Sequence, residues 1–359
     1  MDTLICPGRR RLLGAAGAFG ALALAGCTDA QVARPAGATG SGQRFGGLTM
    51  GSSYTVRLAN TAFDAAGLDR LQADVQGALD AVDRRMSLYR PDSELVRFNG
   101  HPAHQPLALS PELLSVLQAG QRVAELTGGA FDVTVAPLVL AWGFGPEPRQ
   151  GLPGAPLLQQ RRAATGHRHL QIDAAGGLAT KRLPGLQADL GGIAKGYGVD
   201  QVAQLLQAQG LADFMVEVGG EVRTAGRNAR GRPWQIGIEE PDAAPPRARL
   251  VVPLSGQAMA TSGDYRIYFE EGRRRYSHEI DPASGEPIVH GLASVTVVAA
   301  DCMQADALAT ALIVMGPQAG LALARQQGIA AHFIVRRADG RLTDHATEAF
   351  TALRAAATA

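Results

Sequence analysis

The sequence predicts an α+β fold in which antiparallel strands pack with helices. Apolar residues recur at helical spacing from Ala65 to Met86, and "SPELLSVLQAGQRVAELTGG" (110–129) repeats this pattern after Ser110, a favourable N-cap residue. Strand-like runs joined by turns that contain Gly or Pro dominate residues 214–300. Long helices interspersed with antiparallel strands are typical of the α+β class.

The elements between these regions follow from the same patterns. "MGSSYTVRLA" (50–59) alternates like a strand, and a further helix is predicted from about Ala194 to Gly210. The strand-like runs are "FMVEVGGEVRTAG", "WQIGIEEP", "RLVVPLSG", "AMATSGDYRIYFEEG" and "LASVTVVAA".

The C-terminal part predicts two helices and a hairpin. The helices cover residues 305–316 and 317–328, and the hairpin covers residues 329–342. Asp339 and Gly340 form a favourable turn pair for such a hairpin.

Composition and charge indicate a globular protein without a nucleic-acid partner. Of 359 residues, 46% are hydrophobic and 19% are charged, and the formal net charge is +1, so no basic excess is available to bind a polyanion. "GGIAKGYG" (191–198) lacks the G-x-x-x-x-G-K-[ST] spacing, and no G-x-G-x-x-G follows a strand. We therefore expect no standard P-loop or Rossmann site.

Residues 1–27 have the pattern of a Tat-like lipoprotein signal peptide. Arginines at 9–11 precede an apolar stretch, and "LAGC" ends at Cys27, which would be lipidated after cleavage. An ordinary signal peptide cut nearby is the alternative. Residues 28–45 are predicted to be a flexible tether, with the folded domain at 46–355. The predicted location is the periplasmic side of the inner membrane, anchored by lipid.

The stretch "QADALATALIVMG" (304–316) places a carboxylate and a hydroxyl on one face of an apolar helix. Asp306 and Thr310 are four residues apart, so their oxygens can point at the same spot, as two metal ligands would. The alternative is that Asp306 caps the helix and Thr310 bonds back to its own backbone.

The segment "ATSGDYRIYFEEGRRRYSHEIDPASGEPI" (260–288) contains the richest polar chemistry. His278 lies near Asp281 in the chain, Thr261 and Ser262 offer hydroxyls, and residues 282–287 form a turned loop. A histidine can take a proton from an attacking hydroxyl at neutral pH. A purely structural histidine is the alternative.

Two further segments have the composition of ligand-contacting loops. In "QADLGGIAKGYGVD", Asp189 and Lys195 flank paired glycines at a predicted loop-to-helix junction, where backbone groups can approach an anion. In "TGGAFDVTVAPLVLAWGFG", Phe131 and Asp132 could sandwich a planar ring and bond its polar edge. A solvated turn and a capped buried segment are the respective alternatives.

Seven segments in this order resemble the ApbE family, the FAD:protein FMN transferases. They are "MGSSYTV" (50–56), "MSLYRPDSELVRFN" (86–99), "TGGAFDVTVAPLVLAWGFG" (127–145), "ADLGGIAKGYGVD" (188–200), "VEVGGEVRTAGRNARGRPWQIGIEEP" (216–241), residues 260–288 as quoted above, and "SVTVVAADCMQADALATALIVMG" (294–316). The resemblance covers nearly the whole chain after residue 46.

The resemblance implies a T-fold-related α+β architecture and a Mg²⁺-dependent transferase. Such enzymes attach FMN from FAD to a Thr or Ser hydroxyl of a target flavoprotein and release AMP. His278 is the predicted base that removes the proton of the acceptor hydroxyl, and Asp306 or a metal-bound water are the alternatives. The implied metal positions are Asp306, Thr310 and a carbonyl near Gly192, and some members carry a further Asp where this chain has Ala309. The implied flavin-contacting positions are Met50, Tyr89, Ala130, Phe131, Asp132, Asp189, Lys195 and Ile280.

Two other functions remain open on the sequence. A Mg²⁺-dependent FAD pyrophosphatase would use the same site but give the phosphorus to water, releasing free FMN and AMP. A lipid-anchored flavin-binding protein would bind FAD without cleaving it.

Overall fold

The computed structural model describes residues 42–272 and 274–356. The helices in these ranges begin and end at side-chain caps or turns, as in α1, where Asp64 accepts a hydrogen bond from the Gly67 N–H. They are α1 (Ala65–Met86), α2 (Glu94–Gly100), α3 (Pro111–Leu126), α4 (Ala136–Ala141), α5 (Ala155–Ala163), α6 (Ala194–Ala208), α7 (Cys302–Gln326) and α8 (Glu348–Ala356).

The strands of the described residues form one large sheet and several small ones. They are β1 (Gln43–Thr49), β2 (Ser52–Leu58), β3 (Leu107–Ala108), β4 (Leu170–Asp173), β5 (Leu178–Lys181), β6 (Phe214–Val218), β7 (Glu221–Ala225), β8 (Trp234–Glu239), β9 (Ala248–Leu254), β10 (Ala258–Gly263), β11 (Tyr268–Glu271), β12 (Arg274–Ser277), β13 (Ile280–Asp281), β14 (Glu286–Pro287), β15 (Leu292–Ala299), β16 (Ala330–Arg336) and β17 (Leu342–Ala346).

The large sheet has the strand order β1-β2-β6-β7-β10-β15-β16-β17, and its neighbours pair antiparallel. Its central strands are buried on both faces. Val297 packs in the core with α3 and α7, whereas its neighbour Val298 packs with the β8–β9 hairpin and α8. Successive strand residues point to opposite faces, so continuous apolar runs here fill two cores.

The N-terminal half of the sheet packs against α1 and α6 in a second core. Leu71, Val75 and Leu79 of α1 meet Val202 and Leu206 of α6 there. The spacing of four residues places these side chains on one face of each helix.

The start of α7 is fixed to α6 by Asp200. The Asp200 carboxylate accepts hydrogen bonds from the Cys302 and Met303 N–H groups at 2.9–3.0 Å, and it pairs with Arg223 on β7. A carboxylate satisfies N–H groups that a helix N-terminus otherwise leaves free. The backbones also approach closely, because a Cβ at Gly196 would lie 2.3 Å from the Cys302 carbonyl oxygen.

The predicted α+β class and its main helices and strands are confirmed. The two predicted C-terminal helices form α7, which Gly316 interrupts with φ 79° before Pro317. By length and composition alone α7 could cross a membrane, but half of its most apolar stretch is buried within the protein.

Two boundaries differ from the prediction. Within the described residues the first strand begins at Gln43, inside the predicted tether 28–45, and Gln43 pairs with Leu58 in the β1–β2 hairpin. The predicted single run 258–272 divides into β10 and β11, which belong to different sheets. The predicted signal peptide and nearly all of the predicted tether, residues 1–41, lie outside the described residues.

Replacement of Gly196 by Ala tests the contact between α6 and α7. The added methyl would overlap the Cys302 carbonyl, so we expect the free energy of unfolding to fall by about 1–3 kcal/mol. Gly77→Ala is the matched control on α1, where a Cβ meets nothing within 4 Å and helix propensity favours Ala. Urea denaturation of both variants measures the difference; equal stabilities would contradict the close approach.

Candidate active site

The carboxylate of Asp306 points from α7 towards the start of α6. Its Oδ2 accepts a hydrogen bond from the Gly196 N–H at 3.0 Å, and the side chain is buried. Asp301 caps α7 instead, accepting from the Gln304 N–H at 2.8 Å. The alternative interpretation of Asp306 as a helix cap is therefore wrong, because the helix begins four residues earlier, at Cys302.

Thr310, one turn further along α7, faces the same region. Its Oγ1 lies 3.1 Å from the Ser262 Oγ on β10. A Cβ at Gly192 would lie 2.9 Å from Thr310 Oγ1 and 3.3 Å from a ring carbon of Phe131. Glycine at 192 thus lets the loop before α6 approach Thr310 and Phe131 together.

Lys195 lies between two buried carboxylates. Its Nζ is 2.7 Å from Glu221 Oε1 and 3.9 Å from Asp306 Oδ1. Burial disfavours the ammonium, but attraction to Asp306 and Glu221 outweighs it and raises the Lys195 pKa. Burial raises the pKa values of both carboxyl groups. Lys195 therefore stays charged at neutral pH.

Glu221 has one oxygen with no partner among the described residues. Glu221 Oε2 is fully buried and makes no hydrogen bond. Buried polar atoms are nearly always satisfied, so an unpaired oxygen beside Lys195 and Asp306 indicates a place where a bound group supplies the missing contact.

His278 follows β12 and is held by one backbone carbonyl. The carbonyl oxygen of Ile267 accepts both the His278 N–H and its ring Nδ1, each at 3.1 Å. One third of the side chain is exposed, and desolvation of the enclosed remainder lowers the His278 pKa to about 4. The imidazole is therefore neutral at pH 7.

Tyr89 is connected to His278 through Phe144. The Tyr89 hydroxyl donates to the Phe144 carbonyl at 2.7 Å, and the Phe144 ring packs edge-on against His278 with centroids 6.4 Å apart. Phe144 also belongs, with Ile280, to an aromatic cluster under β11–β12. The predicted positions Tyr89, His278 and Ile280 thus lie in one region.

The other predicted flavin positions line the loop before α6 and its surroundings. Asp189 accepts from the Gly191 N–H at 2.8 Å and is close enough to His278 to influence its pKa. Phe131 is buried against Gly192, and Ala130 lies at the edge of the same core. Met50, with φ 45°, packs against Gly198.

The Asp132 carboxylate binds neighbouring loops of the protein. Its Oδ1 accepts hydrogen bonds from the N–H and hydroxyl of Thr134 at 2.7 Å, and its Oδ2 accepts from the His167 N–H at 2.8 Å. The carboxylate thus orders the protein's own loops. Its predicted role in flavin binding stays a prediction.

The donor atoms fit a hard cation of the Mg²⁺ type. Asp306 and Thr310 supply oxygens one turn apart, and the backbone at Gly192 adjoins them. Mg²⁺ prefers oxygen ligands and usually keeps several waters, so few protein ligands suffice. No group of three His, Cys, Asp or Glu side chains that could hold a metal occurs within 42–272 and 274–356.

Sequence reasoning missed Glu221, Glu279 and Phe144 as members of the site. Glu221 lies in a predicted strand, Glu279 follows His278 directly, and Phe144 lies in the segment for which Phe131 was the predicted aromatic contact. The one available signal was Glu221 itself, a glutamate within an apolar strand sequence, because Glu is rarely fully buried unless it is paired.

The fold and site define an α+β protein with a charged, largely buried site between α6, α7 and the β11–β12 hairpin. The model of the ApbE family matches residues 50–333. FAD:protein FMN transferase of Vibrio cholerae is 45% identical over 305 residues, covering 85% of this chain and 90% of that protein. The Haemophilus influenzae protein of the same name is 42% identical, covering 83% and 87%.

Comparison with solved structures also indicates the ApbE family. The flavin transferase ApbE from Vibrio cholerae superposes with a TM-score of 0.79 at 43% identity, covering 87% of this chain and 99% of that chain. The apo flavinyl transferase ApbE from Pseudomonas stutzeri gives 0.80 at 42% identity, covering 88% and 97%. The chain belongs to the ApbE family.

Proposed function

We propose that this protein transfers FMN from FAD to a Thr or Ser hydroxyl of a target flavoprotein and releases AMP. Family membership and the names of its relatives support the reaction. The observation that carries the proposal is the convergence of Asp306, Thr310 and Lys195 at the contact of α6 with α7. Lys195 can bind the anionic pyrophosphate of FAD, and Asp306 and Thr310 can hold a cation beside it.

Lys195 and the start of α6 hold the anionic bridge of the dinucleotide. The Lys195 ammonium attracts pyrophosphate oxygens, and the glycines at 191 and 192 let them approach the backbone. Mg²⁺ held by Asp306, Thr310 and the Gly192 carbonyl would neutralise charge on the pyrophosphate. Met50, Tyr89 and Phe131 are the proposed contacts of the isoalloxazine ring, with Ala130, Asp189 and Ile280 around them.

His278 is the proposed general base. A backbone carbonyl only accepts hydrogen bonds, so the contact with Ile267 places the ring proton on Nδ1. The lone pair is then on Nε2. With a pKa of about 4, this nitrogen is unprotonated at neutral pH and can take the acceptor's proton during attack.

We also propose that the protein is exported and anchored by lipid at Cys27, on the periplasmic side of the inner membrane. The basic and apolar residues of 1–26 and the "LAGC" motif support this. Replacing Cys27 by Ser removes the acceptor thiol. We expect the variant to lose incorporation of labelled palmitate and to leave the membrane fraction; unchanged labelling would refute anchoring at Cys27.

The reaction is tested with FAD, Mg²⁺ and a candidate flavoprotein subunit. Flavin fluorescence on the subunit after denaturation, together with equimolar AMP, is the expected result. Free FMN and AMP without labelling of any acceptor would identify a pyrophosphatase. Tight FAD binding without AMP under any metal condition would identify a non-catalytic flavin-binding protein.

His278→Ala tests the base. We expect FAD binding, measured by quenching of flavin fluorescence, to be retained, and FMN transfer to fall by roughly 10²–10⁴-fold, the usual contribution of a general base. His345→Ala is the matched control, since His345 is exposed on β17. Transfer at the normal rate by His278→Ala would rule out this assignment.

Asp306→Asn tests the cation site. Asp306 is the charged ligand of the three proposed, so its loss is expected to lower Mg²⁺-dependent FAD cleavage at least about 100-fold, more than the loss of an outer-shell partner. Asp301→Asn is the control on the same helix, because Asn caps a helix as well as Asp does. Mg²⁺ titrations of AMP release compare the two; undiminished cleavage by Asp306→Asn would place the cation elsewhere.

A further inference from the structure

The carboxyl group of Glu279 is buried beside the base. Glu279 is 6% exposed, and its Oε1 lies 3.7 Å from His278 Nε2. None of residues 42–272 and 274–356 donates a hydrogen bond to this carboxyl group. Its backbone is fixed, since the Glu279 carbonyl accepts from the Ile288 N–H at 2.9 Å.

The orientation of the His278 imidazole decides which of its two nitrogens lies next to the Glu279 carboxyl group. Nδ1 carries the ring proton and donates it to the Ile267 carbonyl. The unprotonated Nε2 is therefore the ring nitrogen that lies 3.7 Å from Glu279 Oε1, and it is the atom that receives the proton when His278 acts as the base. A carboxylate next to that atom stabilises the resulting imidazolium.

We propose that Glu279 is a positioning residue that acts through His278, its carboxylate stabilising the imidazolium that forms at Nε2 during FMN transfer. The inference rests on the proposed function. The acceptor oxygen forms a bond to the FMN phosphorus while its proton moves to Nε2. The bond from that phosphorus to the AMP oxygen breaks, and AMP leaves with the electron pair.

Burial and the neighbouring charged groups determine the pH at which the Glu279 carboxyl group ionises. Burial raises the Glu279 pKa to about 8; Lys195 lowers it, and Asp306 and Asp264 raise it. His278 is in turn influenced by Lys195, Asp189 and Asp264. A raised carboxyl pKa means that negative charge appears only as the pH rises through about 8. The base then becomes stronger, so transfer should increase through this range and level off above it.

The experiment compares the full-length protein with Glu279→Gln and Glu279→Asp, using FAD, Mg²⁺ and an acceptor subunit from pH 6 to 10. We expect Glu279→Gln to lower kcat by roughly tenfold above pH 8 with KM for FAD unchanged, and to lose the rise near pH 8. Glu279→Asp should recover part of that rise. Glu286→Gln, on the exposed position of β14, is the control.

A double-mutant cycle separates action through His278 from a general structural effect. In a His278→Ala background, Glu279→Gln should have no further effect on AMP release. The same fold-loss in both backgrounds, a pH profile unchanged in Glu279→Gln, or a KM effect alone would overturn the inference. Absence of transfer by the wild-type protein would instead refute the proposed function, so the two failures are distinguishable.

Discussion

The contact between α6 and α7 is the constraint on which the site depends. Asp200 of α6 binds the first N–H groups of α7, and Asp306 of α7 binds the Gly196 N–H in return. These reciprocal hydrogen bonds, with the close approach at Gly196, fix both the rotation and the translation of one helix against the other. In that arrangement Thr310 contacts the loop at Gly192.

This geometry concentrates charge where water is scarce. Lys195 pairs with the buried side chains of Glu221 and Asp306, and Glu279 is near enough to be influenced by Lys195 and Asp306. Burying charges costs free energy even when they are paired, so such a group is a poor way to stabilise a fold. An anionic pyrophosphate and a divalent cation would complement each other and these side chains, which explains an arrangement that folding alone does not favour.

The proposed base, His278, lies outside the main sheet, between the small β11–β12 and β13–β14 hairpins. Aromatic packing holds these hairpins: the Phe269 and Tyr276 rings stack at 5.1 Å, and the Trp142 Nε1–H donates to the Gly285 carbonyl at 2.8 Å. Offset aromatic pairs add to ordinary apolar burial. The cluster therefore fixes His278 relative to Tyr89 although neither belongs to a main-sheet strand.

The sequence by itself determined the fold class, the main helices and strands, and the placement of Asp306 and Thr310 one turn apart on a helix, because these depend on local periodicity. Only the tertiary structure decided that Asp301 rather than Asp306 caps α7, that Asp132 serves its own loops, and that Glu221 and Glu279 face the site. Those outcomes depend on contacts between distant segments, such as 195 with 221, whose partners leave no periodic signal in the chain.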